Sequence, residues 1–568
     1  MSGAERPGAD PRARLHLGEG ACADALAGAL ERCEASGAAA RIWAGDHTLW
    51  KPAPDEIANR LGWLRSPAAM RPELPRIRGF VEEVRRDGLR QVLLLGMGGS
   101  SLAPELFTAT FGATDGYPRV AVLDSTDPAA VRAAAERCPP ETTLYVVSTK
   151  SGGTVETLSF FKYFHALAAA RLGAPRAGAR FAAVTDPGSS LEEMARRIGA
   201  RAVFLNDPHV GGRFSALTLF GLVPAALDGV DLDSLLDRAD AMSRRCGPGT
   251  LGGGNPGVLL GAFAGGMALA GRDKLTLVCS RPLTAFGAWA EQLVAESTGK
   301  EGRGIIPIDG EIVVPGRRFG PDRAFVFLLL DGDDSHEAGI ASLAGDGHPV
   351  LVLRLADRLD LGGEFFRWEF ATAVAGHLLG VNPFDQPDVE SAKKEARAAL
   401  AAYRERGELP AAGREVAGEE AAAEIARLLA TAKPGDYVAL QAFVDPAGAA
   451  AALQGLAEAL RERSGLAVTV GSGPRFLHST GQLHKGGAPG GIFLQLVSDN
   501  PDDLAIPDDF GSAAGSMGFG VLKCAQSIGD LRALEGAGRR VARVRLGSEG
   551  PGVAAGIGAL ARAVRART

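Results

Sequence analysis

Cysteine is scarce, with six residues in a chain of 568. They are Cys22, Cys33, Cys138, Cys246, Cys279 and Cys524, and no two stand at zinc-ligand spacing. A chain this long buries enough surface to fold without disulfides, so reduced thiols in a cytoplasm are expected. Long apolar runs are missing as well. The longest, Val258 to Gly271, is rich in glycine and alanine. It falls short of the roughly 20 residues a membrane span needs, and predicts a buried helix. The opening MSGAERPGADPRARLHLGEG has no apolar core, which argues against a signal peptide. An excess of positive charge is absent too. The net charge of −6 argues against nucleic acid as the main partner, while a local site can still take a small anion.

Glycine is abundant, at 76 residues, but follows no period, which excludes a collagen-like chain. Many glycines close apolar runs, as the loops of an α/β protein require. The length predicts two to four domains. Short apolar strands alternate with helical patterns: QVLLL at 91–95, RVAVL at 119–123, LYVV at 144–147 and FAAV at 181–184. A second round holds KLTLVCS at 274–280, a helix from Leu283 to Glu296, strands at 324–332 and 348–355, and a helix from Glu364 to Leu379. This alternation predicts doubly wound parallel sheets, which bind ligands at the carboxyl ends of their strands. Residues 403–435 read as a charged, exposed helix with linker ends. A third segment carries strands at YVALQAFV and GIFLQLV and a last helix at the C-terminus. The expected division is an N-terminal helical segment at 1–55, loosely attached, α/β subdomains at 56–240 and 241–402, the linker at 403–435 and a C-terminal α/β segment at 436–568.

The stretch LYVVSTKSGGTVET, Leu144 to Thr157, carries the first chemical signal. A buried strand runs into a loop of hydroxyls and glycines, and a helix then begins near Thr154. Free backbone N–H groups and the positive end of the helix dipole converge there, which makes an anion site. Thr149, Ser151 and Thr154 add hydroxyls, and Gly152 and Gly153 allow close backbone approach. The stretch resembles the Ser-Lys-Ser/Thr-x-Thr-Thr-x-Glu signature of phosphoglucose isomerases, with Thr149, Lys150, Ser151, Thr154 and Glu156 on it. Thr149 replaces a serine and Gly153 a threonine. The lost hydroxyl is worth about 0.5–1.5 kcal/mol.

Four further motifs follow in the family's order. GMGGSS at 96–101 is similar to Gly-Ile-Gly-Gly-Ser and implies that Gly98, Gly99 and Ser100 meet the substrate. Read alone, GMGGSS also invites a dinucleotide site, with Asp124 as the ribose acid, but Ser101 stands where that fingerprint needs glycine. GGRFS at 211–215 places Arg213, beside Gly212, as the residue that stabilises an anionic intermediate. EQLVAESTGK resembles Gln-x-x-x-Glu-Ser-x-Gly-Lys, with Gln292, Glu296, Ser297, Gly299 and Lys300 on it. A carboxylate suits the transfer of one proton between adjacent carbons, and the resemblance gives Glu296 that task. NPFDQPDVESAKK, 382–394, resembles Asn-Ser-Phe-Asp-Gln-x-x-Val-Glu-x-x-Lys and puts Lys393 near the sugar ring oxygen.

One family element is displaced. No Gly-Thr-Asn-Gly-Gln-His run follows Glu296. A similar string, HSTGQLHKGG at 478–487, offers His478 or His484 as the residue that opens the sugar ring. RLGWLRSP near the start and GPRFLHSTGQLHKGG near the end are similar to the isomerase half of bacterial bifunctional transaldolase/phosphoglucose isomerases. The stretch before Gln91 is too short for a transaldolase barrel of about 250 residues.

The resemblance implies two sugar-isomerase-type subdomains, three-layer αβα, and interconversion of glucose 6-phosphate and fructose 6-phosphate through an enediolate. Ser100, Thr149, Lys150, Ser151 and Thr154 would hold the phosphate. His484 or His478, with Lys393, would open the ring, Glu296 would move the proton, and Arg213 would balance the charge. No cofactor or metal is implied, and neither nucleic acid nor membrane. A homodimer is expected on the resemblance alone. Two other classes stand beside this reading: a phosphosugar-binding regulator without chemistry, and a nucleotide-dependent oxidoreductase using GMGGSS.

Overall fold

The structure, a computed structural model of the chain, describes residues 10–18, 20–250, 252–512, 514–547 and 551–566. The chain divides into two compact units, each gathered from separated stretches. The first comprises Met1–Glu82, Leu102–Tyr117 and Asn206–Gln386; the second comprises Glu83–Ser101, Pro118–Leu205 and Pro387–Thr568. The motif NPFDQPDVESAKK is therefore shared, with Gln386 closing one unit and Pro387 opening a stretch of the other.

The first unit holds a five-stranded sheet in the order Ala13–His16, Val350–Leu355, Arg323–Leu330, Lys274–Cys279, Ile306–Ile308. Three of its four pairings are parallel; in the fourth, at one edge, Ala13–His16 runs antiparallel to Val350–Leu355. That strand corrects the expectation of a loosely attached N-terminus. The helix Ala21–Ala35 is also tied down, because Cys22, Leu26, Ala29 and Cys33 recur at helical spacing on its buried face. The run from Val258 forms the buried helix Pro256–Leu269, which lies against Leu361–Leu379. Glycine makes that approach possible. A Cβ on Gly261 would come within 2.5 Å of the Ala371 carbonyl oxygen, and one on Gly257 within 2.7 Å of Phe370.

The second unit holds two five-stranded sheets, both wholly parallel. The first runs Arg119–Leu123, Gln91–Gly96, Thr143–Ser148, Phe181–Thr185, Ala202–Leu205. Thr143–Ser148 is central and buried throughout, as its β-branched run predicts. The second runs Glu415–Val416, Arg540–Arg545, Gly491–Val497, Tyr437–Phe443, Ala467–Ser472. Two of its strands were legible in sequence. Arg540–Arg545 was not, because its arginines mask a strand whose Ala542 and Val544 are buried. The exposed linker helix expected at 403–435 is also corrected. Val389–Arg406 ends at Gly407 in the left-handed conformation, and Gly418–Leu429 buries Ala421, Ala422, Ile425 and Leu428 under the sheet. Charged residues on its other face hid this in the composition.

Among the described residues no helix is long and apolar enough to cross a membrane. The expected α/β class with doubly wound parallel sheets is the architecture observed.

Two glycines should respond oppositely to alanine. Gly261→Ala forces the helix pair apart and should cost about 1–3 kcal/mol. Gly455, inside Pro446–Ser464, has no neighbour within 4 Å of an added Cβ, and Gly455→Ala should stabilise by about 0.5–1 kcal/mol. Denaturant unfolding of the two variants checks both signs.

Candidate active site

In the second unit, the carboxyl end of Thr143–Ser148 opens into the hydroxyl loop. Thr149 is buried, its N–H donates to the Val184 carbonyl at 3.1 Å, and its Oγ1 lies 3.0 Å from Thr154 Oγ1. Thr154 occupies the N-cap of Val155–Leu172 without capping it by a side-chain hydrogen bond. Its hydroxyl faces the loop, and the first-turn N–H groups have no partner within the helix. Gly152 has φ +72°, and a Cβ there would meet Leu191 N at 2.6 Å, so the turn requires glycine. At Gly153 an added Cβ would meet nothing closer than Ser151 Oγ at 3.9 Å, so no close approach requires glycine there. Ser151 is exposed, and its Oγ accepts from Gly153 N at 3.3 Å. Lys150 is ion-paired with Asp186, and its carbonyl accepts from Asp186 N at 3.2 Å, which braces the loop.

GMGGSS closes the strand Gln91–Gly96 in the same unit. Gly98 takes a left-handed φ of 54° and begins the short 3-10 turn Gly98–Ser100, which also contains Gly99. Ser100 is buried at its end. Asp124, where a ribose acid would lie, instead accepts from Ser101 Oγ at 3.1 Å and pairs with Arg475 Nε at 3.4 Å.

The two C-terminal histidines have different surroundings. His478 Nε2 lies 2.8 Å from the Glu156 carboxylate. Glu156 is buried and also accepts from Gln526 Nε2 at 2.6 Å. Burial alone would push its carboxyl up, but the charge and hydrogen bond of His478 outweigh this and hold it below the usual range. An ionised carboxylate accepts only, so Nε2 donates to it. His484, in contrast, is sealed in the core between Phe476 and Phe493, with ring centroids at 5.9 and 5.1 Å. Its Nδ1 lies 3.1 Å from Gln441 Nε2, and its Nε2 has no hydrogen-bond partner among the described residues. Burial, helped by Lys485 and Arg539, drives this imidazole well below the usual histidine range. Lys393 stands half-exposed on Val389–Arg406 and pairs with Glu390 Oε1 at 2.8 Å. Asp388, just before that helix, accepts from Gln482 Nε2 at 2.5 Å, four residues past His478.

The first unit carries the remaining sequence-predicted residues, Gly212, Arg213, Gln292 and Glu296. Arg213 is 4% exposed, and its whole guanidinium is engaged. Nε donates to Ser297 Oγ at 2.7 Å, Nη1 to Gln386 Oε1 at 2.9 Å, and Nη2 to the carbonyls of Pro383 and Asp385 at 2.8 and 2.9 Å. Nη1 also stands 3.5 Å from Glu296 Oε1. Burial lowers the arginine's pKa, opposed by Glu296 and Asp385. Glu296 sits near the end of Phe286–Thr298, and Gln292 one turn earlier donates to its Oε2 at 3.1 Å. Gly212 has open space around it, so no close approach requires glycine there.

Sequence reasoning gave no role to Glu156, Ser297, Gln386 or Lys300, although all four lie inside quoted motifs. Gln526 carries no motif, and only packing reveals it.

These features define a class: an α/β protein with a hydroxyl- and glycine-rich loop at the carboxyl end of a parallel sheet, a histidine–carboxylate pair and a carboxylate held against a buried guanidinium. Comparison with known proteins narrows it. A model of the family described as phosphoglucose isomerase matches residues 71–312. A glucose-6-phosphate isomerase of Rubrobacter xylanophilus is 30% identical over 385 residues, covering 59% of this chain and 87% of that one. One from Thermosynechococcus vestitus is 31% identical over 413 residues, covering 60% and 75%. Among solved structures, a hypothetical protein from Thermus thermophilus matches with TM-score 0.58 and 25% identity, over 68% of this chain and all of that one. A Chlamydia trachomatis glucose-6-phosphate isomerase matches at TM-score 0.57 and 21% identity, a likeness of fold. The chain belongs to the phosphoglucose isomerase family.

The state of His484 has a measurable consequence. It stays neutral when folded but takes a proton in the unfolded chain below pH about 6.5, so stability should fall as pH drops through that value. His484→Gln removes that proton and can still meet Gln441. From pH 6.5 to 5.5 the variant should lose about 1 kcal/mol less stability than the parent. Unfolding by urea at both pH values tests this.

Proposed function

We propose that this chain interconverts glucose 6-phosphate and fructose 6-phosphate as an aldose–ketose isomerase working through an enediolate. The observation that carries the reading is the Glu296–Arg213 pair, a carboxylate 3.5 Å from a guanidinium locked by four other acceptors. A binding protein has no use for a poised base beside a fixed cation, which disfavours the regulator. Asp124 is occupied by Ser101 and Arg475, which disfavours the nucleotide-dependent oxidoreductase.

The hydroxyls of Ser100, Thr149, Ser151 and Thr154 and the N-terminus of Val155–Leu172 hold the phosphate, while Lys150 keeps the loop in shape. His478 opens the ring: its imidazole takes the proton of the anomeric hydroxyl, and Glu156 stabilises the resulting imidazolium. Lys393 gives a proton to the ring oxygen as the C1–O5 bond breaks, and the imidazolium of His478 is the source that restores it. Glu296 then removes the C2 proton of the open aldose and returns it to C1. The Arg213 charge, already oriented, balances the enediolate oxygen without reorganising. The core setting of His484 favours His478 for the ring-opening step. A homodimer and a cytoplasmic location are carried by the resemblance.

Glu296→Gln keeps the size and removes the proton acceptor. kcat should fall by about 10²–10⁴-fold with KM little changed. In D2O the parent should place deuterium at C2 of glucose 6-phosphate and the variant should not. Exchange at the parental rate in the variant would assign the base elsewhere.

His478→Ala should slow turnover of cyclic substrate far more than that of an open-chain analogue, and His484→Ala should not separate the two. An equal loss on both substrates in His478→Ala would remove this histidine from ring opening.

A further inference from the structure

We propose that Lys300 is a positioning residue whose buried ammonium clamps the turn Asn382–Gln386 and thereby sets the Arg213–Glu296 pair. The inference rests on the isomerase reading above. Lys300 follows the helix that carries Glu296, and its side chain is 2% exposed. Nζ donates to the Asn382 carbonyl at 2.8 Å, the Asp385 carbonyl at 2.6 Å and Asp385 Oδ1 at 2.7 Å. The same short turn supplies three of the acceptors of Arg213: the carbonyls of Pro383 and Asp385 and Oε1 of Gln386. Two cations therefore converge on the Asp385 carbonyl oxygen. Their repulsion is offset by the Asp385 carboxylate and by Glu296, the charged groups that face the ammonium along with Arg213.

The arrangement needs all three N–H hydrogens of a charged lysine. A neutral amine has two, and turns a lone pair toward three acceptors, so one of them loses its donor. The turn then relaxes, and with it the guanidinium that it holds beside Glu296. Burial first, and the Arg213 charge second, bring the Lys300 pKa down to about 8, so this loss falls in an accessible range. The sign follows directly. The ammonium, and the geometry it holds, are present below pH about 8 and are lost as pH rises through it.

The test is the pH profile of kcat and KM for fructose 6-phosphate in the parent, Asp385→Asn, Lys300→Arg and Lys300→Met. In the parent kcat should fall above pH about 8 while KM holds, because the clamp acts on the Arg213–Glu296 pair that serves the chemical step and makes no contribution to holding the phosphate. Asp385→Asn removes the charge that stabilises the ammonium, so its alkaline limb should move to lower pH. Lys300→Arg keeps the charge and should lose that limb. Lys300→Met should lower kcat by about 100-fold across the range, the cost of a misplaced catalytic group. An active parent whose limb is unmoved by Asp385→Asn would overturn the clamp alone. A parent without isomerase activity at any pH would overturn the functional reading, and this role with it.

Discussion

A guanidinium that is almost fully buried must find a partner for each N–H, because leaving one charge of a buried pair uncompensated costs about 3–5 kcal/mol. Arg213 meets that demand with a serine on one helix, a glutamine, two carbonyls of a single turn and the Glu296 carboxylate. Much of the first unit's local structure follows from satisfying it. The helix Phe286–Thr298 must end where Ser297 and Glu296 reach the arginine, and the turn after Val381 must aim its carbonyls inward. Phe214 and Phe384, at 5.4 Å, and Trp63 behind Phe214 close the apolar wall beside it. The Arg213 charge is thus fixed by the fold itself, the condition under which a preorganised dipole or charge is most effective.

The second unit solves the converse problem with a buried anion. Glu156 lies one residue into a helix whose N-terminus favours negative charge, and it is held by His478 and Gln526. Gln526 is in turn fixed through Thr126 Oγ1 at 3.1 Å. The start of this helix thus holds a buried carboxylate in its first turn, fixed against a histidine and a glutamine. The C-terminal sheet contributes that histidine from the 3-10 turn Arg475–His478, which follows its edge strand Ala467–Ser472. The string HSTGQLHKGG thus carries one histidine to a buried carboxylate and the other, six residues on, into the core.

Legibility in the sequence tracked local physics. Thr143–Ser148, Val155–Leu172 and Pro256–Leu269 were readable because β-branched runs, hydroxyl-glycine loops and uninterrupted small apolar residues each have a single good conformation. Arg540–Arg545 escaped notice and Gly418–Leu429 was read as exposed, because charge on one face outweighed burial on the other. The N-terminal strand Ala13–His16 has four residues, and pairing with Val350–Leu355 is what makes it a strand.

The sequence by itself determined the family, the parallel α/β character and the candidate residues, because motif spacing along a chain is preserved whatever the chain packs against. The tertiary structure decided which role each residue can fill. His478 and His484 look alike in HSTGQLHKGG, yet one meets a carboxylate and the other two phenyl rings. Lys300 and Lys393 both sit in family motifs, yet one is sealed under three acceptors and the other is half in water. Burial and partners set the charge state of a side chain, and both depend on residues far away in sequence that only the fold brings together.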